Sequence, residues 1–175
     1  STMDGSQLLP LMETLNPATT LLVLASKSFT TADTQFNART ALLWLSDALE
    51  VEEATIRRYQ LLGVSAKPDK MTEFGIPEAH QLEFKEWIGG RFSLWSPIGV
   101  SIAMQLGLEQ FDALLDGAHA MDQHFMATPL KDNLPVLVGL VGAWTCQFLN
   151  IPTHVVLPYD GRLKSLAAYL QQLEM

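Results

Sequence analysis

Basic side chains are scarce in this sequence. Eleven Lys and Arg stand against 19 Asp and Glu in 175 residues, a formal net charge of −8. The long-range field therefore repels phosphate backbones and anionic lipid headgroups, which argues against nucleic acid and against a membrane as partners. A small anionic ligand stays compatible, because one Lys, one Arg and a few backbone N–H groups override so weak a field locally. Cysteine is scarcer still. Cys146 stands alone, so the chain can form no internal disulfide and no Cys-based zinc site, and a reducing compartment is the expected setting. It sits among Trp144, Phe148 and Leu149, where a small core residue is expected rather than a nucleophile. The histidines, His80, His119, His124 and His154, show no metal-ligand spacing with an acidic partner, so no metal is expected and they read as structural. Residues 1–10 carry no export signal. The most membrane-like stretch, residues 134–149, contains Pro135, Gly139, Gly142, Thr145 and Gln147 and is too short for about 30 Å of hydrocarbon; a buried helix is expected there.

Hydrophobic residues make up 48% of the chain, ample for a packed core, and the length fits one domain or part of a larger one. Residues 21–25 (LLVLA) form a short continuous apolar run between a Pro-Ala-Thr-Thr turn and polar Ser26-Lys27-Ser28, the pattern of a strand buried on both faces. Over residues 32–49, Leu42, Leu45 and Leu49 recur at helical spacing. A second strand is expected at residues 59–64 (YQLLGV) and a third at residues 153–157 (THVVL). Between them the sequence is mostly helical. Pro97 opens one helix to Leu106, Leu108, Phe111, Leu115 and Ala118 form the stripe of another, and Asp132 or Asn133 caps the apolar helix that follows. A last helix is expected from about Arg162 to Gln172. Strands alternating with helices imply α/β layering on a parallel sheet. Three strands are too few to close such a fold, and residues 1–5 resemble a strand exit, so part of a larger domain is expected.

Two segments carry candidate chemistry. Ser26, Lys27, Ser28 and Thr31 fall between the first strand and its helix, where unpaired N–H groups and the helix dipole favour anions. Their hydroxyls and ammonium are the donors a phosphate monoester needs. A helix cap rich in Ser and Thr has the same composition, and that reading stays open. Gly89-Gly90-Arg91 sets a planar cation after two glycines, which suits a developing oxyanion and equally suits a surface turn. Gln171 and Gln172, near the last helix end, offer amides suited to sugar hydroxyls or to water. Asp122 beside His124 fits a general base and fits helix-end hydrogen bonding equally.

Taken together, the motifs resemble the phosphoglucose isomerase family. Residues 26–31 (SKSFTT) resemble its phosphate loop, usually SKTFTT, and residues 86–99 (EWIGGRFSLWSPIG) its signature block. Residues 117–125 (GAHAMDQHF), 157–160 (LPYD) and 167–172 (AAYLQQ) follow in the family's order. The match covers the whole chain, about a third of a family member's length. The resemblance implies a three-layer αβα sandwich with a doubly wound, flavodoxin-like parallel sheet, here incomplete, with residues 1–175 forming part of a sugar-isomerase domain. It further implies interconversion of glucose 6-phosphate and fructose 6-phosphate through an enediolate, no cofactor, a cytoplasmic homodimer as the full-length protein, and a sugar phosphate as the ligand. Carried over by position, Ser26, Lys27, Ser28 and Thr31 would hold the phosphate, Gly90 and Gln172 would contact substrate, and Arg91 would stabilise the enediolate. Ser28 replaces the usual Thr and keeps the hydroxyl. The family's base is a Glu directly after the Met of a QQxxME pattern, so it would follow Met175, and Glu174 is not assigned that role. Two other readings remain: a non-catalytic phosphosugar-binding module, and part of a fusion with another sugar-phosphate enzyme.

Overall fold

The computed structural model describes residues 5–174, which fall into two compact units divided between Ser101 and Ile102. The strand exit expected at the start falls mostly on residues 1–4 and so lies outside the described residues, as does Met175. Within the first unit the order is α1 (Gly5–Thr14), β1 (Leu22–Ala25), α2 (Ala32–Leu49), α3 (Glu53–Tyr59), β2 (Leu61–Ser65), α4 (Pro68–Glu73) and β3 (Gln81–Glu83). The strands form one parallel sheet in the order β1-β2-β3. This is the expected α/β class with an incomplete parallel sheet.

Alternation along the strands assigns the two faces. Leu22 and Leu24 of β1 and Leu61 of β2 pack with Leu42 and Leu45 of α2, Ile56 of α3 and Met71 of α4, so all three helices cover one face. Sequential strand order explains this, because successive right-handed crossovers in one direction deliver their helices to the same side. On the other face Val23, Val64 and Leu82 pack with Phe84, Ile88, Ile98 and Val100. Each fully buried side chain of this kind contributes about 1.5–3 kcal/mol. Gln60 fixes where β1 enters: its side-chain amide donates to the carbonyls of Pro17 and Thr20 at 2.7 and 2.8 Å, and its own carbonyl accepts from Leu22 N at 2.8 Å.

Two strand assignments need correction. β2 begins at Leu61, since Tyr59 still belongs to α3, whose last turn ends with Gln60 N donating to Ile56 O. Residues 153–157 are not paired as a strand among the described residues; the third strand is Gln81–Glu83. Three residues are too few to display a period, whereas THVVL has strand composition without a partner strand.

α5 (Val100–Leu106) crosses the boundary between the units. The second unit continues with α6 (Leu108–Ala127), α7 (Leu134–Gln147) and α8 (Leu166–Glu174). Asn133 is the expected cap of α7, accepting from Val136 N at 3.3 Å, and it is itself buried, donating to the carbonyls of Phe125 and Thr128. His124 is structural, as expected: Nε2 accepts from Leu134 N at 3.0 Å while Nδ1 pairs with the Thr128 hydroxyl at 3.1 Å. That contact defines the tautomer, with the proton on Nδ1. α7 is the expected apolar helix but is not buried in this chain: Val138, Leu140, Val141 and Trp144 are exposed, and so is Cys146. The last helix starts at Leu166 rather than Arg162, which lies in a 3-10 turn capped by Asp160. No helix among the described residues is long and apolar enough to cross a membrane.

Gly63 in β2 has the closest neighbours of the described glycines. A Cβ there would lie 2.7 Å from Ile76 Cδ1 and 2.8 Å from Met71 Sδ, both buried. Gly63→Ala is therefore expected to destabilise the first unit by about 1–3 kcal/mol, the usual cost of overpacking. Chemical denaturation checks this, and an unchanged midpoint contradicts it.

Candidate functional site

The carboxyl ends of parallel strands in an open α/β sheet are where ligands bind, because loops diverge there and helix N-termini converge. In the first unit the chain leaves β1 through Ser26–Thr31 and leaves β2 through Ala66 and Lys67. The two exits are tied together. Ser26 N donates to Val64 O at 3.0 Å and Ala66 N to Lys27 O at 3.3 Å. The buried Ser65 hydroxyl donates to Lys27 O at 3.1 Å and accepts from Lys67 N at 3.0 Å, so one side chain holds both loops.

Within residues 26–31 the hydroxyls organise the turn. Ser26 Oγ accepts from Phe29 N at 3.2 Å and lies 3.4 Å from Thr31 Oγ1, while Ser28 Oγ accepts from Thr30 N and from the Thr30 hydroxyl. Phe29 takes the left-handed conformation, φ 56°, at 3% exposure. For a bulky side chain that backbone is strained and persists only when packing enforces it. Packing does so here. The ring meets Phe74 edge-on at 5.8 Å, the Arg57 guanidinium lies over the Phe74 ring at 4.3 Å from its centroid, and Gln35 Nε2 donates to Phe29 O at 2.7 Å. Burying Phe29 turns Lys27, Ser28 and Thr31 outward.

Those three residues line an open pocket of about 390 Å³ together with Ala66, Lys67 and Glu86. Thr31 stands at the N-cap of the 18-residue α2 without capping it by its side chain. The first-turn N–H groups thus keep no hydroxyl cap, and the dipole of a long helix favours an anion in front of them. Lys67 donates to the Glu86 carboxylate across the pocket. That hydrogen bond, and then the charge of Lys67, hold the Glu86 carboxyl below its usual range, with Lys27 adding in the same direction; Glu86 in turn raises the Lys67 ammonium.

Gly90 and Arg91 lie in the same unit, at the start of a 3-10 segment, Gly90–Trp95. The serines of the GGRFSLWSP run shape it: Ser93 Oγ donates to Gly90 O at 2.5 Å, and Ser96 Oγ donates to Ser93 O at 2.6 Å and caps the Pro97–Gly99 turn. Arg91 is exposed and does not line the pocket of Lys27. Gln172 is exposed on α8 in the second unit. The structure therefore brings together Ser26, Lys27, Ser28 and Thr31, sets Gly90 and Arg91 apart from their pocket within the same unit, and carries Gln172 in the other unit. Lys67 and Ser65 were not singled out by sequence reasoning. Their one signal is position, directly at the end of a strand neighbouring the first, and it becomes visible only once β2 is assigned.

A parallel sheet covered by helices, with a loop rich in Ser, Thr and Lys at its carboxyl edge, defines an α/β protein whose candidate site lies at that edge. Comparison with known proteins narrows the class. The family model for phosphoglucose isomerase matches residues 1–175. Glucose-6-phosphate isomerase 2 of Chromohalobacter salexigens is 55% identical over 182 residues, covering 100% of this chain and 32% of that protein. Glucose-6-phosphate isomerase of Acinetobacter venetianus is 55% identical over 175 residues, covering 100% of this chain and 31% of that protein. The crystal structure of a glucose-6-phosphate isomerase from Chlamydia trachomatis superposes with a TM-score of 0.84 at 28% identity, covering 98% of this chain and 32% of that one. The chain belongs to the phosphoglucose isomerase family and spans about a third of the length of the curated relatives it matches.

The Lys67–Glu86 pair has a measurable signature. Because the folded Glu86 carboxyl is lowered, the pair's contribution is present above the ordinary Glu range and fades as pH falls through the lowered value. An NMR titration of the Glu86 side-chain carboxyl is expected to show a midpoint below that of an ordinary Glu, moving upward in Lys67→Met. An unchanged midpoint contradicts the pairing.

Proposed function

We propose that this chain supplies the phosphate-binding and enediolate-stabilising part of an aldose–ketose isomerase that interconverts glucose 6-phosphate and fructose 6-phosphate, and that residues 1–175 form part of its sugar-isomerase domain. The observation that carries the reading is the convergence of Lys27, Ser28 and Thr31 on one pocket in front of the uncapped N-terminus of α2. A phosphate monoester there meets an ammonium, hydroxyls and backbone N–H groups, which fix one end of the sugar. Such anchoring is uniform binding: it lowers KM and sets the position of the reacting carbons.

The chemistry asked of the protein is transfer of one proton between C2 and C1 through an enediolate. Arg91 is the group assigned to that oxyanion, since a guanidinium is always charged and presents fixed donors. Gly90 before it lets the backbone approach substrate, and Gln172 offers amide donors and an acceptor to the sugar hydroxyls. The base is a Glu expected directly after Met175. An acid–base shuttle of this kind uses side chains alone and needs no metal or organic cofactor. The relatives' names support this reading, as does the occurrence of the five motif blocks in one chain in the order that resembles the family's. The complete protein is proposed to be a cytoplasmic homodimer.

Isomerase assays on the intact protein that carries this chain test the proposal. Lys27→Ala is expected to raise KM about tenfold or more, and Arg91→Ala to lower kcat by about 10²–10³. Activity unchanged in the double variant, or absent from the intact protein, overturns the assignment.

A further inference from the structure

The pocket contains more charge than the loop of residues 26–31 brings to it. Lys67 and Glu86 line it with Lys27, and the sum of these three groups is one positive charge. A phosphate monoester carries about −1.5 to −2 at neutral pH. Lys27 alone leaves that anion undercompensated, with the Glu86 carboxylate close enough to repel it. The Lys67 ammonium is the cation within the pocket that corrects the balance.

The backbone around Lys67 is fixed for this task. Lys67 N donates to Ser65 Oγ at 3.0 Å, and the same oxygen donates to Lys27 O at 3.1 Å, so the two lysines are held at a set separation through a fully buried hydroxyl. The side chain, by contrast, is open to solvent and bonded only at its tip, to Glu86. An ammonium has three donors on a flexible stem and can turn from one acceptor to another without moving the backbone. An exposed ion pair is also weakly held, so exchange of partners costs little.

We propose that Lys67 is a second phosphate-binding cation of this pocket, parked on Glu86 while the pocket is empty and turned to the phosphate when it fills. The inference rests on the assignment of residues 26–31 as a phosphate loop and adds to it a residue from the neighbouring strand exit. Glu86 then acts as a restraint on anion affinity. It keeps Lys67 ordered, and its charge opposes the ligand.

Calorimetric titration of the intact protein with inorganic phosphate tests this, with thermal melts on each variant. Lys67→Met is expected to weaken phosphate binding about tenfold, the loss of one charge-assisted hydrogen bond, and Lys67→Arg to restore most of it. Glu86→Gln is expected to tighten binding several-fold by releasing Lys67 and removing the opposing charge. Unchanged affinity in Lys67→Met, or weakening in Glu86→Gln, overturns the proposal, since a purely structural ion pair would give one or the other. If Lys67→Met does not fold, Lys67→Gln is titrated in its place, with the same weakening expected and unchanged affinity overturning the proposal. Lys27→Ala separates the two levels. Loss of binding there with Lys67→Met unaffected leaves the phosphate loop standing and removes Lys67 from it, whereas no binding by the unsubstituted protein removes both.

Discussion

Parallel pairing of β1 with β2, in the register Leu22↔Leu61 to Ala25↔Val64, is the constraint on which the site depends. Because the strands run the same way and end together, the chain leaves both at one edge of the sheet. An antiparallel partner would send its exit to the opposite edge. The candidate pocket follows from this shared exit: two loops side by side, two lysines, and the start of a long helix beside them, with Gly90 and Arg91 set apart from it in the same unit. The ladder continues past the strands as Ser26 to Val64 and Ala66 to Lys27 hydrogen bonds, so the loops inherit the rigidity of the sheet.

A second layer of packing converts that placement into a binding surface. Phe29 is driven into the core beside Phe74, and the left-handed turn this imposes is what presents the polar side chains on either side of it. Hydrophobic burial thus stabilises a backbone that the loop would not hold by itself. Below it, Gly63 admits Met71 and Ile76 against the strand, which seats the residues before the exit. Preorganisation of this kind matters for the proposed anion site, since donors already fixed in place lose little on binding.

Much of this was legible in the sequence, and the parts that were not have identifiable causes. Residues 21–25 declared a strand correctly, but not one buried on both faces: β1 is an edge strand of Leu22–Ala25 in which Leu24 is buried, Leu22 and Val23 are half-buried, and Leu21 and Ala25 are exposed. The Ser, Lys and Thr cluster declared the loop between β1 and α2, where composition and position agree, and its proposed role as an anion loop follows from that place. β3 escaped notice since Gln81–Glu83 is too short to show alternation and is held by register with β2. Residues 153–157 misled because strand composition needs a partner that the described residues do not supply. The left-handed Phe29 has no local signal at all, for its conformation is set by a ring 45 positions away in sequence. Lys67 was hidden for the same reason: its relation to Lys27 exists only across the β1–β2 pair. In α7 the apolar composition was read correctly as a helix, but Val138, Leu140 and Val141 face solvent in a chain that spans a third of its relatives' length.

The most direct measurement is a crystal structure of the intact protein with fructose 6-phosphate bound. The account predicts the phosphate group against the hydroxyls of Ser28 and Thr31 and the first-turn N–H groups of α2, with Phe29 still left-handed and buried. A phosphate bound elsewhere, with residues 26–31 making no contact to it, would contradict the central claim that the shared exit of β1 and β2 is the anion site.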